Sequence, residues 1–589
     1  MAKNRKRAIS TSLNKLRRHA DKIERAATKQ HRNFFNGRLG IAKEMRFDVG
    51  IWLGLITLLI FALILQGIFY QTNNTTTTSR RGGSYAEGIV GEIVSFNPLF
   101  AENGDEKALS SLVYSSLLKT DETNNIANDL ASSWTVSNDG LNYDVKLRED
   151  AFWHGSDKPV TAADVVFTTQ LIKDPKVQSS LYETWKNIEV SRLSENEVRF
   201  TLRTSLALFP WALNFGILSS DELQNINRDE IREYLSDQAA IGSGPFVFRN
   251  VSLSGSKNNI LYFTPNTTYF NGAPQIEALH IETYSDDQKM IDGFRNGEIN
   301  LANGISIKTA NENISDDLYS TPVNSGVFAI FNTDGEITNS STVRQALRLA
   351  LDRDKVRSIA SVGKYTPNIL ETPIAPGIFD QVDTLRQPVD NNVEAKRLLN
   401  ADGWQYDIRQ KLAKDLSPLK LNIVTVKDSD YVQTAEEIAR QWKEIGVESE
   451  IILASAENIQ QNFIMPRNYD VLVYRLELGG DGDVYSYWHS SGAKEQGLNL
   501  ANYKSATADV ALARARTQLD QDTRGSIYKD FAESWINDVP AIALYQANLY
   551  YLKSKNVQAW RGDSLTDKSV RFRNVNNFTV NAAQVNKTP

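Results

Sequence analysis

The residues best suited to chemistry form one short run, Gly479-Gly480-Asp481-Gly482-Asp483, directly after an alternating pattern that ends near Leu478. Glycines let a ligand approach the backbone, and a carboxylate can pair with a ligand cation. In open α/β sheets, ligands bind beyond the carboxyl ends of strands. A calcium loop is excluded, because the twelfth position counted from Asp481 is Gly492 and not an acid. A solvated Gly/Asp turn is the competing reading, and residue types alone leave both open.

Catalysis has little else to work with. There is no cysteine, so disulfides, thiolate metal sites and cysteine nucleophiles are excluded. Of five histidines, His19 and His31 fall in the N-terminal arm, while His154, His280 and His489 are far apart and form no His-x-x-x-His pair. No phosphate-binding Gly-x-x-x-x-Gly-Lys-Ser/Thr loop occurs. Gly242-Ser243-Gly244-Pro245 lacks the Gly-x-Ser-x-Gly spacing of a nucleophile elbow and reads as a turn into the strand Phe246–Phe248. No catalytic residue, metal site or cofactor is therefore expected. Carboxylate pairs of the glycosidase kind carry no sequence signature either way.

These residues need elements to position them, and the patterns alternate between strand and helix. Asn142–Arg148 places Tyr143, Val145 and Leu147 on one face of a half-buried strand. Val343, Ala346, Leu347, Ala350 and Leu351 form a helical stripe. Leu419–Val426 reads as a strand. Tyr431, Ala435, Ile438, Trp442 and Ile445 then mark a helix face that stops at Gly446, and Val447–Leu453 is a second strand. That succession is a βαβ unit, and Tyr469–Leu478 follows as a third strand leading into the Gly/Asp run.

The net charge of −6 hides an asymmetry. Residues 1–48 carry 14 Lys/Arg against 4 Asp/Glu, and the rest of the chain is acidic. Val49–Tyr70 then runs 22 residues without a charge. As a helix it would measure about 33 Å, the thickness of a bilayer core. Basic residues favour the cytoplasmic side. The expectation is an uncleaved signal anchor at 49–70, a basic cytoplasmic arm at 1–48, and everything after it outside, on the extracytoplasmic face of the cell membrane. The arm reads as a topology determinant, and no nucleic-acid partner is expected. Residues 71–83, QTNNTTTTSRRGG, read as a flexible linker.

The order of segments resembles extracellular solute-binding protein family five, from about Ala86 to Trp560. Carrying the resemblance are Ser95–Leu99, Leu112–Leu118, Asn128–Trp134, Asp139–Arg148, Phe152–Gly155, Pro159–Phe167, Gly242–Phe246, Phe331-Asn332, Val343–Leu347 with Ala350–Arg353, and Val539-Pro540 with Leu544-Tyr545. The resemblance implies an α/β, two-lobed periplasmic-binding-protein fold of type II. Lobe one would be 84–325 plus 541–589, with an extra subdomain at 121–236, and lobe two would be 326–540. It also implies an extracytoplasmic receptor that captures oligopeptides in an interlobe cleft and delivers them to an ABC permease and its ATPase.

By the same resemblance, Asp481, with Asp483 as substitute and Gly480 beside them, would receive the ligand's ammonium group. Glu102, Asn103 and Gly104 would run beside its backbone, and Tyr545 would line the cleft. Trp134, Phe152 and Trp153 would be packing residues, and Arg344 and Asp352 would serve helix ends. Relatives often carry Gly-Trp before the aspartate loop and proline after it; here Leu476-Glu477-Leu478 precedes it and Val484 replaces the proline. That departure keeps other readings in play: a receptor for a metal chelate, sugar or other small solute, or a sensor or adhesion module on the same fold.

Overall fold

The computed structural model describes Lys22, Arg25 and residues 46–586, apart from 81, 233–239, 254–258, 408–410, 416, 428–430 and 561–563. The basic arm thus lies outside the described residues, except at Lys22, Arg25 and 46–48. The chain divides into two units, with boundaries after Thr78 and after Ala582.

The first unit contains helix α1 (Arg46–Asn74). Its described side chains, 51–66, include exposed Trp52, Leu58 and Phe61. Among the described residues no helix is long and apolar enough to cross a membrane. The expected tether at 71–83 is not irregular throughout: α1 continues to Asn74, and strand β1 (Thr75–Arg80) follows and pairs with Asn581–Asn586. Its four consecutive threonines are β-branched and suit a strand.

The second unit is built on a ten-stranded sheet. In chain order its strands are β2 (Ser84–Val90), β3 (Phe246–Leu253), β4 (Asn259–Pro265), β5 (Ala278–Tyr284), β6 (Leu301–Ile305), β7 (Leu318–Phe331), β8 (Lys420–Val426), β9 (Glu448–Ala454), β10 (Val471–Glu477) and β11 (Ala541–Lys553). Across the sheet the order is β9-β8-β10-β7-β11-β6-β2-β5-β4-β3. A separate four-stranded antiparallel sheet, formed from Ala131–Val136, Asn142–Leu147, Glu189–Ser194 and Glu197–Thr201, makes the subdomain.

The long antiparallel pair β7 and β11 joins two lobes. Leu318–Pro322 pairs with 548–552 on the lobe-one side, and Gly326–Ile330 pairs with 541–546 on the lobe-two side. Between Pro322 and Gly326 the register shifts. Proline has no N–H to give to a ladder, so a break there is physically reasonable. Val323, Ala547 and Leu565 form their own small apolar cluster at the crossing.

The βαβ unit is present as read. β8 and β9 are parallel, and helix α2 (Tyr431–Glu444) between them buries Ala435, Ile438 and Trp442. The following turn buries Ile445, and Gly446 stands at φ 85°. The indole of Trp442 donates to the Leu347 carbonyl at 2.9 Å, tying this helix to the stripe of Val343, Ala346, Leu347, Ala350 and Leu351, each of them buried.

Lobe one is closed by the end of the chain. Arg571, fully buried, donates from Nε to the Glu87 carboxylate at 2.8 Å, and its Nη1 lies 3.2 Å from Asp105. The Tyr85 hydroxyl donates to the other Glu87 oxygen at 2.6 Å. Burial raises the Glu87 carboxyl, and Arg571 pulls it back down. Removing one partner of a buried pair typically costs about 3–5 kcal/mol, because the other charge is stranded. Arg571→Ala is expected to destabilise the protein by about that much in denaturant titration, and Arg571→Lys to recover only part of it, since an ammonium lacks the guanidinium fork. An Arg571→Ala protein as stable as the parent would contradict this assignment.

Candidate functional site

The Gly/Asp run follows β10 and faces lobe one. Asn324, at the register break of β7, fixes its start. The Leu478 N–H donates to the Asn324 carbonyl at 2.8 Å, and the Asn324 side-chain amide donates to the Gly479 carbonyl at 3.0 Å. The Asn324 N–H turns the other way, to the carbonyls of Leu565 and Thr566 at 3.0 and 3.1 Å. One buried asparagine thus holds the loop and the lobe-one tail together.

Two glycines make the loop's shape possible: Gly479 at φ 67° and Gly482 at φ 73° occupy the left-handed region. Gly480 is required for a different reason. A Cβ there would stand 2.5 Å from the Trp211 ring and 2.7 Å from Thr566 Cγ2. Trp211 belongs to the subdomain, so lobe two meets lobe one across a bare α-carbon. Close by, the Ala207 N–H of the subdomain donates to the Arg516 carbonyl at 2.7 Å.

The two aspartates are not equivalent. Asp483 is engaged: its Oδ2 receives the Arg516 guanidinium at 2.7 Å, and its Oδ1 accepts the Tyr485 N–H at 3.1 Å. The same guanidinium lies 4.2 Å over the Tyr485 ring. Asp481 accepts the Asp483 N–H at 3.0 Å, but among the described residues no Lys, Arg or His forms an ion pair with it. Burial pushes its carboxyl up to about 6, with the Asp483 charge adding to the rise. The Tyr528 hydroxyl and Arg524 Nε lie within electrostatic reach of Asp481, and both are buried without a hydrogen-bond partner among the described residues. Buried polar groups normally find partners. Asp481 thus stands as a buried carboxyl beside two donors unpartnered among the described residues.

The remaining candidates from the sequence are placed elsewhere. Asn103 caps the helix Gly104–Val113 by accepting from the N–H groups of Asp105 and Glu106. The Glu106 carboxylate returns to the N–H groups of Glu102, Asn103, Val94 and Ser95. Glu102 and Asn103 are exposed, and Gly104 lies against Lys568. Tyr545 is 2% exposed in the lobe-two core, and its hydroxyl is 2.9 Å from Thr434 Oγ1. Here it packs beneath the sheet and lines no open surface. Trp153 is buried as expected, whereas Trp134 and Phe152 are each more than a third exposed.

Sequence reasoning did not find Asn324, Trp211, Arg516, Arg524 or Tyr528. Asn324 lies inside a strand pattern, and nothing in the sequence ties positions 211, 516, 524 and 528 to the loop.

No catalytic constellation accompanies the loop. Ser84 Oγ and His280 Nε2 are 2.6 Å apart, but His280 Nδ1 is buried without a partner among the described residues, so no carboxylate orients the ring. Gly242 and Gly244 press against the backbone of Val113, as a packing turn does. Among the described residues there is no cluster of three or more His, Asp or Glu that could hold a metal ion.

Comparison with known proteins follows the same lines. The model of "Bacterial extracellular solute-binding proteins, family 5 Middle" matches residues 125–497. The oligopeptide-binding protein AppA of Bacillus subtilis is 28% identical over 533 residues, covering 86% of this chain and 95% of its own. Its solved structure, in complex with a nonapeptide, superposes with a TM-score of 0.65 at 25% identity over 85% of this chain and 99% of that one. NikZ of Campylobacter jejuni, in complex with Ni(L-His), superposes with a TM-score of 0.67 at 25% identity, covering 84% and 99%.

If the contact at Gly480 governs closure, Gly480→Ala should force the Trp211 ring and the loop apart. Small-angle scattering is expected to show a larger radius of gyration for this variant, and Trp211→Ala in the same background should reverse most of the increase. An unchanged radius for Gly480→Ala would mean that this contact does not hold the lobes together.

Proposed function

We propose a function from the premise that this chain belongs to the bacterial extracellular solute-binding proteins of family 5, which bind and do not catalyse. It captures an oligopeptide between its two lobes, with Asp481 receiving the ammonium end. The observation that carries this reading is the contrast between two neighbouring carboxylates: Asp483 is paired with Arg516, while Asp481 is buried and, among the described residues, in no ion pair. The solved AppA complex with a nonapeptide supports the choice of ligand class. The boundaries that go with this reading are lobe one at 84–325 plus about 547–589, with its subdomain at 121–236, and lobe two at 326 to about 546, because 541–546 pairs with Gly326–Ile330. Delivery would be to an ABC permease and its ATPase.

The sign of the pH dependence follows from the raised carboxyl. An ammonium needs the carboxylate form of Asp481, and a proton competes with it below about pH 6. Peptide affinity is expected to be level above that value and to fall below it, approaching about tenfold per pH unit. Asp481→Asn should cost about a hundredfold or more at neutral pH and abolish the pH dependence; calorimetric titration from pH 4.5 to 8 reads both. Equal affinity for the parent and the Asp481→Asn protein would overturn the anchor. Mass spectrometry of co-purified ligand would overturn the peptide reading if it returned a metal chelate or a sugar.

The same reading places the protein at the cell membrane, held by the uncharged run Val49–Tyr70, with the arm inside and the lobes outside. Its support is the run itself, the exposure of its large apolar side chains, such as Trp52 at 66% and Leu58 at 68%, and the basic arm ahead of it. Protease added to intact cells lacking an outer-membrane barrier should remove the lobes and leave a short N-terminal fragment protected. A released protein beginning after about residue 70 would show instead that the run is cleaved.

A further inference from the structure

A cavity of ≈ 300 Å³ lies within lobe one, and none of the seven residues singled out from the sequence lines it. That volume is at the lower end of the range of small-molecule sites, about 300–1,000 Å³. Six aromatic rings contribute to its walls: Tyr114, Trp185, Trp211, Phe215, Tyr269 and Phe572. They are set in a fixed arrangement. The Trp185 ring meets Phe215 edge-on at 4.9 Å and also contacts Phe200 and Phe209. Such a wall is pre-organised, so a flat guest would lose little to protein ordering.

The charges are unbalanced. Lys107, Lys119 and Arg573 line the cavity against a single acid, Asp129. That acid is already used: it pairs with Lys119 at 3.0 Å and accepts from Asn271 and the Ser116 N–H. Arg573 is held by Asn124 and by the carbonyls of Glu122 and Ser564. Lys107 is exposed and forms no ion pair among the described residues. An aromatic interior with an uncommitted ammonium at its edge is complementary to a ring bearing a negative charge.

We propose that this cavity binds a small aromatic monocarboxylate, its ring among the aromatic walls and its carboxylate at Lys107. The site shares Trp211 with the Gly480 contact but contains none of the loop's own residues, and it does not rest on the peptide reading.

The test is calorimetry on the full chain in lipid nanodiscs, with empty nanodiscs as the baseline. N-acetyl-L-tryptophan is the probe and N-acetyl-L-tryptophanamide its uncharged control. Neither carries an ammonium, so neither reports on Asp481. The acid is expected to bind, with the amide at least about tenfold weaker. Lys107→Gln should weaken the acid by about the same factor, and Ser111→Trp, at an exposed lining position, should block it. Asp481→Asn should leave it unchanged.

No binding of the acid at millimolar concentration would overturn the proposal, as would equal binding of acid and amide. So would an Asp481→Asn loss as large as that of Lys107→Gln. Lys107 is a surface residue whose substitution leaves the fold intact, so the result does not depend on whether Ser111→Trp folds. Peptide binding in the absence of acid binding would overturn only the cavity, and the reverse only the peptide reading.

Discussion

The structure depends on one break in a hydrogen-bond ladder. β7 and β11 cross from lobe to lobe, and a continuous ladder would make one rigid sheet of the whole. Between Pro322 and Gly326 the pairing lapses. Asn324 uses that interval to bond outward, to the start of the Gly/Asp loop on one side and to the lobe-one tail on the other. The segment at which the pairing lapses is therefore the segment that positions the loop. A buried asparagine fits because its N–H, its carbonyl and its side-chain amide are each used, and leaving one of them unmade would cost about 1–3 kcal/mol.

Around that junction, charge is sorted by whether it already has a partner. Arg571 and Glu87 are wholly buried and paired with one another, so they hold lobe one together. Asp483 is similarly committed, to Arg516. Asp481 differs from it by two positions and by the lack of an ion pair among the described residues, and burial, with the Asp483 charge beside it, keeps its carboxyl high. A small difference in loop geometry thus separates an ion-paired carboxylate from one that is buried without such a pair among the described residues.

Much of the architecture was legible in the sequence, because it rests on local periodicity. The stripe from Val343, the βαβ unit and the helix stop at Gly446 all depend on neighbours within one element. The family motifs were legible too, but their roles prove more structural than ligand-directed. Ser95–Leu99 is held by Glu106 and by Asn97, and Arg344 satisfies the carbonyls of Asp538 and Val539 at the end of a helix almost two hundred residues away. The site was legible only as a loop. What gives Asp481 and Gly480 their character comes from Trp211, Arg516, Arg524 and Tyr528, and no pattern links side chains that meet only through the fold. Tyr545 shows the opposite case: a motif position carried over from relatives is in this chain a core residue. The threonine run after α1 was read from composition as a linker, yet its β-branched residues also suit a strand once a partner strand is present.

The clamp on lobe one also sets an order of events during synthesis. Glu87 and Arg571 are separated by 484 positions, so the first strand of the large sheet waits for nearly the last residues of the chain. Contacts of such long range form slowly, because the intervening loop must be closed first. The strands and helices between β7 and the start of β11, by contrast, are contiguous in sequence and carry their own apolar clusters. The later half of the chain can condense while the earlier half still lacks its closing arginine. A nascent chain of this design keeps the Glu87 carboxylate without its guanidinium until Arg571 has been made, long after the segment between β7 and β11 has every residue of its own clusters.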